Sequence, residues 1–116
     1  MSTHPLPTHF IIMAHDASNG LHKQLRPIHL ERAQPMLDSG EMIVGGPLYS
    51  ADGNSIIGSV VIFQAVGNFT RIDQVWDFVK SDVFWKQGAW DHLRTMVHPF
   101  FPGNHSIFPS TPVTVK

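Results

Sequence analysis

The sequence predicts an α+β domain in which a four-stranded antiparallel sheet carries two helices on one face. Three observations carry that reading: two apolar runs of strand character, two segments with helix punctuation, and the order in which they alternate. His9 to His15 is nearly continuous in apolar residues, as suits a buried central strand. Ser55 to Ala65 is the clearest strand, with Ile56, Ile57, Val60, Val61, Ile62 and Phe63 supplying β-branched and aromatic side chains.

The other elements follow in order. Ala17 to Leu25, holding Ser18, Asn19 and Gly20, reads as a loop. Helix one is predicted to begin at Pro27, where a missing N–H costs nothing and φ is already helical, and to stop at Gly40. Pro35 lies inside it and is expected to bend or break it. Glu41 to Gly46 reads as a short strand ending in Gly45-Gly46-Pro47, and Ser50 to Asn54 as a turn. That glycine-rich end is no phosphate loop, for it lacks the Lys-Ser/Thr pair and a following helix. Thr70 is expected to cap a second helix reaching Lys80, in which Ile72, Val75, Trp76 and Val79 share one face. Ser81 to Gly88 is an aromatic connection, and Ala89 to Phe100 the last strand.

The order is β-α-β-β-α-β, the split βαβ or ferredoxin-like motif. A sheet with both helices on one face leaves the other face to be covered. A second copy of the same sheet is the economical cover, so a homodimer is expected. Residues 1–8 form a polar, proline-containing extension, 9–101 the domain, and 102–116 a tail with Pro102, Pro109 and Pro112, expected to be extended or packed on a neighbour.

Composition narrows the function. With 116 residues the chain buries roughly two thirds of its unfolded surface in one core. A formal net charge of −1 and no clustered Lys or Arg argue against nucleic acid as a partner. Charged residues are 15% of the chain, against about 25% in typical soluble domains, which also favours an oligomer. There is no cysteine, so disulfides and thiolate chemistry are excluded. Neither a signal-peptide core nor a stretch of about 20 apolar residues is present, so a cytoplasmic protein without membrane contact is expected.

The chemistry-bearing feature is Arg26-Pro27-Ile28-His29-Leu30, following a strand that ends in Asp16. In a helix starting at Pro27, His29 takes the third position, where the positive end of the dipole favours a neutral imidazole, a competent general base; a merely packed surface histidine fits the same position. Asp16 would accept a hydrogen bond from one ring nitrogen, fix the tautomer and stabilise the imidazolium; an ordinary turn aspartate fits the same position. Asp38, nine residues along the helix, is about half a turn out of phase with His29 and is rejected. The eight histidines include no pair at the i, i+4 ligand spacing, so no metal is expected. His15 and His98 lie on strands and are expected to face the same cavity. Arg26 suits a substrate carboxylate or phenolate, but a purely structural cap fits it better from sequence. Phe69, Trp76, Phe78, Phe84, Trp85 and Trp90 fit either a core or an apolar pocket for a flat ligand.

These motifs resemble the YCII-related family of the dimeric α/β-barrel superfamily, which also holds muconolactone isomerases and small cofactor-free monooxygenases. The matching features are Ala14-x-Asp16, Arg26-Pro27-x-His29-Leu30, Ser39-Gly40, Val44-Gly45-Gly46-Pro47-Leu48, Gly58-Ser59-Val60-Val61-Ile62-Phe63, and Asp82-x-Phe84 followed by Gly88. The family's Asp-Pro after helix two is Asp82-Val83 here, so Asp82 matches and the proline does not; Asp82, near the pocket rim, is a secondary candidate. The resemblance implies a sheet-to-sheet dimer and a site built on a histidine and an aspartate, assigned to His29 and Asp16. One branch of the family eliminates chloride from chlorinated hydroxyquinols. The expectation is thus a lyase or isomerase that needs no cofactor and moves protons on an enolisable, aromatic or polyketide-like molecule. Its substrate would touch Arg26, His15, His98, Asp82, Phe84 and Trp85. A non-catalytic ligand-binding or partner-docking dimer and a cofactor-free monooxygenase are the alternatives.

Overall fold

The computed structural model describes residues 7–103; the expectations for residues 1–6 and for the tail from 104 onward lie outside the described residues. The elements are β1 (His9–Asp16), α1 (Leu21–Ser39), β2 (Met42–Tyr49), β3 (Ile56–Gln64), α2 (Ile72–Lys80), the short α3 (Val83–Lys86) and β4 (Trp90–Phe100). The strands form one antiparallel sheet in the order β2-β3-β1-β4, the ferredoxin-like arrangement. No helix among the described residues is long and apolar enough to cross a membrane.

β1 and β3 are the inner strands, which is why their apolar runs barely alternate. They approach so closely that a Cβ on Gly58 would lie 2.3 Å from the Ala14 carbonyl oxygen, so only glycine fits there. Phe10, Ile12 and Ala14 of β1 and Val61 and Phe63 of β3 face the helices and are buried. Val75 and Val79 of α2 close over them, while Phe63, Phe69 and Phe78 form an aromatic cluster with centroids 4.5–5.5 Å apart. The predicted face of α2 is the one that packs. Its start differs in detail: Arg71 is the N-cap, and the Gln74 side chain reaches back to accept from the backbone N–H groups of Thr70 and Arg71.

Helix α1 departs most from expectation. It starts at Leu21, six residues before Pro27, because Asn19 Oδ1 accepts the Leu21 N–H while Asn19 Nδ2 donates to the Gly88 carbonyl. The Ser18-Asn19-Gly20 cluster is therefore a helix start rather than a free loop. Pro27 and Pro35 both sit inside the helix, and both are on its exposed side. The carbonyls they leave unpaired face water, which lets the helix run through both. Gly40, at φ 82°, ends it as predicted, its N–H bonding the Leu37 carbonyl.

Candidate active site

The inner face of α1 carries His22, Arg26, His29 and Ala33, spaced by three or four residues. Ser81 C-caps α2, and Asp82 N-caps α3 by accepting the Phe84 N–H at 2.9 Å. That cap points the carboxylate at α1. His29 Nδ1 lies 3.0 Å from each Asp82 oxygen, and Arg32, one turn further along α1, donates through Nη1 to Asp82 Oδ2 at 3.0 Å. Arg32 is itself fixed by the Phe78 carbonyl, the Ser81 hydroxyl and the Phe78 ring face.

The Asp82 side chain is 3% exposed and that of His29 15%. Burial alone raises a carboxyl pKa, but here the His29 hydrogen bond and charge, the Phe84 N–H and Arg32 outweigh it. Asp82 is held below the usual carboxylate range. An ionised Asp82 accepts a hydrogen bond from Nδ1–H and so leaves the lone pair on His29 Nε2. Nε2 has no hydrogen-bond partner among the described residues and is not sealed from solvent. The ring lies parallel to Phe84 at 4.2 Å and edge-on to Trp90 at 5.6 Å, so packing holds its plane as the carboxylate holds its tautomer.

His29 forms part of the wall of a cavity of about 90 Å³ between α1 and the sheet. Ile12, Val61, Val79, Phe84 and Trp90 make it apolar, and Arg26, His29, Ser59 and Asp82 supply its polar groups. The volume suits about one small ring. An imidazole with a free Nε2 at such a wall is equipped to accept or release a proton.

Several sequence expectations are corrected. The partner of His29 is Asp82, not Asp16. Because α1 starts early, His29 is its ninth residue, about two turns in, and reaches the α2–α3 junction; the dipole argument, which holds only for the first turn, no longer applies. His22 occupies the first turn instead, with Nδ1 3.5 Å from Asp16 Oδ2. Asp16, 7% exposed with neither oxygen hydrogen-bonded, has its pKa raised by burial, only partly offset by His22, Arg26, His15 and His29. His15 and His98 do not face the cavity. Strand alternation sets His15 opposite Ala14, and His98 pairs with Ile11, so both stand on the sheet's open face. Trp85 stacks on His92 at 3.6 Å and packs edge-on to Trp76, outside the cavity wall. Arg26, Asp82 and Phe84 do line it. Arg32 was missed; its signal is the His29-x-x-Arg32 spacing on one helix face. Among the described residues no three His, Asp or Glu side chains gather as a metal site.

A ferredoxin-like sheet with a buried His–Asp pair beside an apolar cavity defines a small α+β protein with a candidate small-molecule site. The YCII-related domain matches residues 8–98, and the chain belongs to that family. The Protein YciI chains of Escherichia coli O6:H1 and Shigella flexneri are each 30% identical over 98 residues, covering 78% of this chain and 94% of theirs. Among solved structures, a 5-chloro-2-hydroxyhydroquinone dehydrochlorinase, TftG of Burkholderia phenoliruptrix, in complex with 2,5-dihydroxybenzoquinone, superposes with a TM-score of 0.67. It shares 28% identity, with 84% of this chain and 97% of that one covered.

Proposed function

We propose that this protein is a lyase or isomerase acting by proton transfer on a small phenolic, quinol or other enolisable ring compound. The observation that carries the reading is His29 Nδ1 held 3.0 Å from both oxygens of a buried Asp82 at the wall of an apolar cavity. In an elimination, His29 Nε2 takes a proton from a carbon next to a carbonyl. The released electron pair forms the new double bond, and the group on the adjacent carbon leaves as an anion. In an isomerisation the imidazolium returns the proton at a different atom. Asp82 stabilises the imidazolium and Arg32 holds Asp82; no oxidant is consumed. The likeness to a dehydrochlorinase supports the elimination branch.

The same reading includes a homodimer joined through the open sheet face, where Ile11, Met13, Val44, Val60, Ile62 and Met96 stand together. Light scattering should give twice the chain mass of 13.0 kDa.

The test is turnover of a panel of hydroxylated and chlorinated quinols, including 5-chloro-2-hydroxyhydroquinone, followed by halide release and by proton–deuterium exchange in D2O. His29→Ala should cost about 10²–10⁴-fold in turnover with the fold intact. Ligand binding without turnover or exchange would favour the binding-module reading, and oxygen uptake would favour a monooxygenase.

A further inference from the structure

A second, open trough lies beside the start of α1, and Arg26 belongs to its wall as well as to that of the cavity under α1. One side of the trough is His22, Lys23 and Arg26; the other is Tyr49, Asn54 and Ser55 from the β2–β3 hairpin. At 1.5 Å of rise per residue, Arg26 is about 4.5 Å and Lys23 about 9 Å along the helix axis from His29. The trough therefore presents two cations on the N-terminal side of the proposed base, faced by hydroxyl and amide groups.

Arg26 makes no hydrogen bond or ion pair with any described residue, and neither does Lys23. No acidic residue lines the trough. The nearby carboxylate is Asp16, buried against His22 at 3.5 Å and short of ion-pair contact with Arg26. An unpaired guanidinium at the junction of an apolar cavity and a polar trough has the planar donor fork that a carboxylate accepts through two parallel hydrogen bonds. One guanidinium, one ammonium and one neighbouring Asp16 suit a monoanion.

We infer that the substrate is an acid: a single ring seated in the cavity at His29, with a short carboxylate-bearing arm that leaves past Arg26 and lies toward Lys23. This rests on the ring-substrate reading above and adds the charge and its position. Arg26 would bind the carboxylate directly, and Lys23 would contribute attraction along the arm.

Two probes of nearly equal size test it: (2,5-dihydroxyphenyl)acetate and its neutral amide, titrated anaerobically into the full chain and followed by amide chemical shifts. The acid should bind at least about tenfold tighter than the amide at low salt, and the ratio should shrink as salt rises. Arg26→Met should bring the ratio to within about twofold, and Lys23→Met should lower it by about two- to threefold. The far-side control Lys80→Met should keep the wild-type ratio. Equal binding of acid and amide, or a ratio that survives Arg26→Met, overturns the carboxylate arm and leaves the ring reading standing. Failure of both probes to bind overturns the two together.

Discussion

Two helices lie on the same face of one sheet and are held in opposite ways. α2 is nine residues long, and its Val75 and Val79 are sealed, at 0% and 1% exposure, against Phe10 and Phe63. α1 is nineteen residues long, carries two interior prolines and has no buried residue at all. Its inward side chains are His22, Arg26, His29 and Arg32 as much as Leu21, Leu25, Ala33 and Met36. The cavity lies beneath α1 because arginine and histidine cannot fill a core as valine does; they keep polar ends that need partners or water. The fold is thus anchored on the α2 side and more loosely filled on the α1 side.

The largest test of that division is a matched pair of truncations. Phe63→Ala, under α2, should cost about 3–5 kcal/mol, because a sealed aromatic leaves a cavity its neighbours cannot close. Leu25→Ala, on the inner face of α1 but only half-buried, should cost less than about 1.5 kcal/mol. Chemical denaturation of both variants decides it; equal losses would mean that α1 is as firmly packed as α2.

Next in size is Asp82, the group that joins the two sides. Its depressed pKa means that ionised Asp82 stabilises the fold above the ordinary carboxylate value near 3.9, and that this stability is lost as pH falls through the lower folded value. Asp82→Asn keeps an acceptor for His29 but removes the charge from Arg32, so it should cost about 2 kcal/mol at pH 7. The wild-type advantage should shrink on acidification below about pH 4. A difference between the two proteins that does not change from pH 7 to pH 2 would break the assignment.

The contrast between the helices also decides what the sequence could reveal. α2 was legible because its apolar period and its packing are the same fact, and β1 and β3 because inner strands need apolar residues on both faces. α1 was misread at its start because Asn19 works through its side chain across to the Gly88 carbonyl, a contact 69 residues away that no local pattern encodes. The error moved His29 from the ninth position to the third and turned it toward the wrong aspartate. Asp82 was visible as a motif residue but not as a partner, since the pairing depends on where the α2–α3 junction meets α1 in space. The place of His29 on the first helix is legible in the sequence; the carboxylate beside it needs the tertiary structure.

Asp16, passed over by His29, supplies the opposite pH signature. Its raised pKa means the fold favours the protonated acid, so its contribution is fully present below the unfolded value near 3.9 and is lost as pH rises through the folded one. Asp16→Asn should therefore stabilise the protein at pH 7 by about 1 kcal/mol, a few degrees in Tm, and the gain should vanish below about pH 4. A variant less stable than wild type at pH 7 would show that the ionised carboxylate is held by the cations around it after all.

The smallest effect expected concerns the prolines inside α1. Pro35 lies on the exposed side, so Pro35→Ala meets no clash and restores an N–H that can bond the Glu31 carbonyl. The gain is offset in part because alanine frees the unfolded chain, leaving a net stabilisation of about 0.5–1 kcal/mol. Hydrogen exchange should localise it, slowing amides from Arg32 to Ser39 while those of Val75 to Val79 rise only with global stability. If α1 must loosen to admit a substrate beneath it, the tightened helix should also slow ligand association to the cavity. Slower exchange with an unchanged association rate would confine the role of the prolines to stability and leave the trough past Arg26 as the route in.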